Sequence, residues 1–171
     1  EGLIQYTDGG KYGFMDLSGR IVIPARFEFA HYFRGSEAVV KDGGRWGIID
    51  RSGQYVLPPR YERLQGAGFS EGLCGVRLGG LWGFMDRSGQ MIIKPQFIGV
   101  EEFSDGAAGF LFNSAYGTQT YKYGYIDRNG QTLFPPGMTA IGPFRNGRAW
   151  QVSSICSGMQ AIIDKKKQPF F

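Results

Sequence analysis

Trp46-Gly47-Ile48-Ile49-Asp50-Arg51-Ser52-Gly53 decides the fold, because the chain repeats this phrase with small changes. The other full copies are Tyr12-Gly13-Phe14-Met15-Asp16-Leu17-Ser18-Gly19, Trp82-Gly83-Phe84-Met85-Asp86-Arg87-Ser88-Gly89 and Tyr123-Gly124-Tyr125-Ile126-Asp127-Arg128-Asn129-Gly130. A worn copy reads Gln160-Ala161-Ile162-Ile163-Asp164-Lys165-Lys166. The aromatic positions step by 34, 36 and 41 residues. A period in this range marks a repeat array whose small units bury their apolar faces against one another.

Two further phrases keep step with the first. One runs Phe33-Arg34-Gly35-Ser36-Glu37, Phe69-Ser70-Glu71-Gly72-Leu73, Phe103-Ser104-Asp105-Gly106-Ala107 and Phe144-Arg145-Asn146-Gly147-Arg148. The other runs Ile21-Val22-Ile23-Pro24, Tyr55-Val56-Leu57-Pro58, Met91-Ile92-Ile93-Lys94-Pro95 and Thr132-Leu133-Phe134-Pro135, with an aromatic following at Phe27, Tyr61 and Phe97. Together they define one array over residues 1–171, with units at about 1–32, 33–68, 69–102, 103–143 and 144–171, the last degenerate as a capping unit would be. The chain opens in mid-phrase at Glu1-Gly2-Leu3 without Met, which reads as a fragment or a processed product.

Short apolar runs rich in β-branched and aromatic residues, bounded by Gly, Pro and Ser, predict strands rather than helices. The expected fold is all-β: about five three-stranded antiparallel meanders of roughly 35 residues, arranged as an open superhelix or a propeller-like ring. Gly-Gly pairs such as Gly43-Gly44 suit the first hairpin turn. The Asp-x-Ser/Asn-Gly step suits the second, with Asp16, Asp50, Asp86 and Asp127 accepting backbone amide bonds. The third strand is expected to end at Pro24, Pro58 or Pro95, since proline cannot donate to a ladder. Gly13, Gly47, Gly83 and Gly124, each after an aromatic, leave room for a close approach of a ring or of backbone.

The phrases Gly44-Arg45-Trp46-Gly47-Ile48-Ile49-Asp50 and Phe69-Ser70-Glu71-Gly72-Leu73 resemble the WG repeat family, bacterial proteins also called KWG repeat proteins. The resemblance covers essentially the whole chain. It implies a β-rich array that mediates interactions, and it assigns no substrate or reaction.

Composition narrows the function classes. A net charge of +4 over 171 residues is too small to imply nucleic-acid binding unless it is gathered on one face. No apolar run approaches the ~20 residues of a membrane span. Cys74 and Cys156 occupy non-equivalent positions, which favours two separate thiols over a disulfide. Two Cys and one His do not make a zinc site, so neither metal nor cofactor is expected. The repeated aspartates occupy equivalent positions, unlike the two distinct carboxylates of a hydrolase, and read as turn caps. His31 has no nucleophile motif beside it.

Three groups of residues remain as interaction candidates. Tyr12, Trp46, Trp82 and Tyr123 are expected in the core between units; the alternative is sugar or choline recognition by their faces. Arg51, Arg87, Arg128 and Lys165 follow the turn aspartates in successive units and would form a cationic ridge toward an acidic protein surface. The spacing from Phe103 to Tyr123 is 20 residues against 13 in the preceding units, so a longer loop, with Tyr116 and Tyr121 as contacts, falls in that hairpin. The reading is a non-enzymatic module for protein–protein interaction, with cell-wall, glycan or choline-type binding as the alternative.

Overall fold

The structure, a computed structural model, describes residues 2–66, 68–113, 121–153 and 160–164. Every regular element among these residues is a strand. The first sheet is a meander of β1 (Leu3–Asp8), β2 (Lys11–Asp16) and β3 (Ile21–Phe27). The second orders β4 (Phe29–Ala30), β5 (Glu37–Asp42), β6 (Arg45–Asp50) and β7 (Tyr55–Tyr61). The third repeats this with β8 (Arg63–Leu64), β9 (Cys74–Leu78), β10 (Leu81–Met85) and β11 (Met91–Phe97). The last has six strands: β12 (Gly99–Val100), β13 (Ala107–Asn113), β14 (Tyr121–Asp127), β15 (Thr132–Ile141), β16 (Arg148–Ser153) and β17 (Gln160–Asp164).

The expected three-stranded unit therefore gains a fourth, two-residue strand. After Phe27 or Tyr61 the chain bends at one residue and then pairs with the next sheet, Ala30 opposite Val40 and Leu64 opposite Val76. At β15 no bend intervenes. Its first half pairs with β14 and its second half with β16, which joins two repeats into one hydrogen-bonded sheet.

The expectation that the third strand stops at proline is corrected. β3, β7 and β11 run through Pro24, Pro58 and Pro95 to the aromatic beyond. Ile48 faces Leu57 and Trp46 faces Tyr61, so the single residue between them on β6 opposes three on β7. The extra residues form a bulge with no ladder partner, where a missing N–H costs nothing. Gly47 sits against that bulge: a Cβ there would lie 2.7 Å from the Leu57 carbonyl oxygen and 2.9 Å from the Pro59 nitrogen. The aromatic-glycine pair and the apolar-proline phrase are thus the two sides of one bulge. The same register shift recurs in the first, third and fourth repeats.

Both faces of the middle strands are buried, which explains the consecutive apolar residues of the repeated phrase. Ile48 packs with Leu57, Leu64, Cys74 and Met85, between the second and third sheets. Its neighbour Ile49 packs with Phe14, Phe27 and Ala30, between the first and second. Phe84, Phe97, Phe103 and Ile126 fill the next gap, and Tyr125, Phe134 and Phe144 the one after. The leading Phe of one repeat meets the preceding sheet edge-on: Phe33 on Phe14, Phe103 on Phe84 and Phe144 on Tyr125, with ring centroids 4.7–4.8 Å apart.

The turns are locally specified. Asp50 Oδ1 accepts from the Ser52 amide at 2.8 Å, the Ser52 hydroxyl at 2.6 Å and the Gln54 amide at 3.0 Å, while Gly53 takes φ +83°. Asp16 and Asp86 repeat this arrangement, and Asp127 repeats its two amide bonds. These bonds favour the carboxylate. The Ser18 hydroxyl is foremost in pulling the Asp16 carboxyl down to about 2, and Ser52 and Ser88 lower those of Asp50 and Asp86.

Candidate interaction cleft

The loops that follow the two-residue strands converge on one edge of the array. Ser70 donates its hydroxyl to the Phe103 carbonyl at 2.7 Å, and Ser104 donates to the Phe144 carbonyl at the same distance. Glu71 accepts from the Gly106 amide at 2.9 Å, and Asp105 accepts in turn from the Gly147 amide. Each loop is thereby fastened to the next. Arg34 reaches over the third sheet altogether, with its guanidinium 2.6 Å from Glu102 Oε2. This edge of the array thus brings loops of the second and fourth sheets within reach of one side chain.

An open cleft of about 640 Å³ lies along this edge. Its walls come from four successive loops and β16: Arg34; Gln65 and Ser70; Glu101, Glu102 and Ser104; and Gly142 and Arg145, with Trp150 on β16. Arg34 and Arg145 stand where the other repeats place the fastening serines. Glu101 is exposed at the cleft, and partial loss of hydration first, with Glu102 beside it second, pushes its pKa up. The cleft therefore offers both charge signs and an indole, and it does so with residues that differ from repeat to repeat.

The cations singled out from the sequence serve the turns. Arg51 donates to the Gly35 carbonyl at 3.0 Å, and Arg128 to the Glu71 carbonyl at 2.6 Å. Arg87 pairs with Glu37, the charged residue that is buried among the described residues, and covers the Phe69 ring at 4.9 Å. Lys165 and Tyr116 lie outside the described residues, as does Cys156. Tyr121 is half exposed at the start of β14, and Cys74 is a buried free thiol.

The repeated aromatics are only partly buried, in place of the core position expected for them. Tyr12, Trp46, Trp82 and Tyr123 pack against the four cores from their margins. Phe27, Tyr61 and Phe97, directly across the ladder, take the fully buried places. Trp46 and Trp82 instead line a second cavity of about 260 Å³ together with His31 and Arg63. No carboxylate lines it. Among the described residues, no cluster of His, Cys, Asp and Glu suited to a metal ion occurs.

The cleft escaped sequence reading because it is built from positions where the repeats disagree. The signal was present in the second phrase, as the alternation Phe33-Arg34, Phe69-Ser70, Phe103-Ser104 and Phe144-Arg145.

The sequence model described as WG containing repeat matches residues 12–46, 46–82, 82–116 and 123–150. No curated protein matches the sequence. Among solved structures, the chain is similar to "Crystal structure of the eukaryotic initiation factor", with TM-score 0.59 and 10% identity, over 98% of this chain and 51% of that one. It is also similar to dihydro-heme d1 dehydrogenase NirN in complex with DHE, with TM-score 0.53 and 15% identity, over 97% of this chain and 43% of that one. At these identities the likeness is one of fold, and the chain spans about half the length of the structures it matches.

Proposed function

Given that the chain belongs to the WG containing repeat family, we propose that it is a non-enzymatic module for protein–protein interaction and that the cleft on this edge of the array is the contact surface. The observation that carries this reading is the change of residues at equivalent positions: Arg34, Ser70, Ser104 and Arg145 share one place in the repeat and face one open cleft. Residues that hold a repeat together recur, whereas those that select a partner need not. Arginines and carboxylates lining one cleft suit a segment carrying both charge signs, and such complementarity sets specificity and association rate. An acidic surface remains a narrower version of the same proposal, directed at Arg34 and Arg145 in place of the turn cations.

The array is read as a propeller-like arc. The Arg34–Glu102 bridge supports this, and so does the likeness of fold to the two solved structures. The serines of the cleft donate their hydroxyls to carbonyls, which suits a fastening role in a non-enzymatic module.

Site-specific photocrosslinking tests the surface. A photoreactive side chain at position 145 should capture a protein that the same group at Val56, exposed on β7, leaves uncaptured. Equal capture at both positions, or at position 56 alone, overturns the assignment.

A further inference from the structure

The cavity between Trp46 and Trp82 has a different chemistry from the cleft. Both indoles come from the same place in adjacent repeats, so the array sets them at one opening. His31 is held in position by its ring contacts, 5.0 Å from Phe29 and 6.0 Å from Trp46. Burial, and then Arg63, lowers its pKa, so at neutral pH it offers one N–H donor and one acceptor. Arg63, on β8, forms no ion pair among the described residues. Glu102, which lies over Gly66 at the cavity's margin, is already paired with Arg34.

Flat apolar rings beside an unpaired cation select a ligand with an apolar face and an anionic edge. A volume of about 260 Å³ falls just below the ~300–1,000 Å³ of sites that enclose a drug-sized molecule. It suits a single ring. A pyranose ring has a face of polarised C–H groups, which the negative face of an indole attracts, and a rim of hydroxyls. An acidic peptide would satisfy Arg63 but leave the indoles without a use.

We propose that this cavity binds a uronic acid, with its C–H face on Trp46 and Trp82, its carboxylate on Arg63 and a hydroxyl on His31. The site does not depend on the protein-binding cleft, and either can stand without the other.

Calorimetric titration of the intact chain with trigalacturonic acid tests it. Binding should saturate and shift the tryptophan fluorescence. Methyl esterification of the sugar, and separately Arg63→Gln, should each weaken binding roughly tenfold or more, the worth of one charge-assisted hydrogen bond. Esterification alters the ligand only, so this arm holds whatever Arg63→Gln does to folding. Tighter binding of the trimer than of free galacturonate would mark a polysaccharide as the source, and equal affinities a free sugar acid. Absence of saturable binding, equal binding of the methyl ester, or equal binding of triglutamate would overturn the proposal.

Discussion

Arg34 and Glu102 lie 68 residues apart and on loops of non-adjacent sheets, yet their side chains meet at 2.6 Å on one edge of the array. The side chains are 53% and 34% exposed, so water and salt weaken the pair. A double-mutant cycle with Arg34→Gln and Glu102→Gln should give a coupling of about 0.2–1 kcal/mol in denaturant melts. A coupling indistinguishable from zero would mean that these two loops are held in place without this bridge.

Arg87 differs from the other turn cations because Glu37 beneath it is only 7% exposed. Arg87→Glu sets a second anion against a buried one and should cost roughly 1–3 kcal/mol. Arg51→Glu loses bonds to an exposed carbonyl and should cost less. Equal shifts in denaturation midpoint would contradict a special role for the Arg87–Glu37 pair.

Gly47→Ala should destabilise by roughly 1–3 kcal/mol, the usual range for overpacking. The obstructing atoms are backbone, Leu57 carbonyl and Pro59 nitrogen, and cannot rotate away. Gly43→Asn is the control. It has φ +57° and open space around the missing Cβ, a conformation that asparagine tolerates. If both variants melt alike, the bulge is not what requires glycine.

Phe84→Ala should cost roughly 3–5 kcal/mol, as expected for a fully buried aromatic. Trp82→Ala should cost less, because one side of the indole faces a cavity. The reverse order would place Trp82 in the core after all.

Acid should loosen the turns. The folded carboxyl of Asp16 titrates at about 2, against an ordinary value of 3.8, and those of Asp50 and Asp86 are also lowered. Unfolding then takes up protons in the window between the two values. The stabilisation is complete above pH ~4 and fades as the pH falls toward ~2. Asp50→Asn should flatten this dependence in melts across that window. An unchanged slope would show that the aspartates are unperturbed.

What the sequence made legible was whatever a single repeat specifies locally. The Gly43-Gly44 turn, the Asp50-Ser52 cap and the paired apolar residues Ile48-Ile49 need only their own neighbours, and each was readable as strand or turn. The two-residue strands were not, since Phe29-Ala30 is too short to display a period. Pro58 misled because the rule that proline ends a strand presumes a ladder partner, and a bulge supplies none. The recurrence of Trp46 at one place in the unit suggests a core position between units, whereas its partner Tyr61 holds that place. The cleft was hidden for a different reason: Arg34, Ser70, Glu102 and Arg145 become neighbours only once the repeats have stacked.

The packing of Phe33 on Phe14, Phe103 on Phe84 and Phe144 on Tyr125 has a consequence for how such a chain changes length. Each core belongs half to one repeat and half to the next, so the segment that is inherited and the segment that packs are out of phase. Excising one whole period, wherever the cuts fall, rejoins matching halves. Excising half a period leaves two faces without a mate. Recombination would therefore preserve additions and losses in whole periods, independent of where the breakpoints lie.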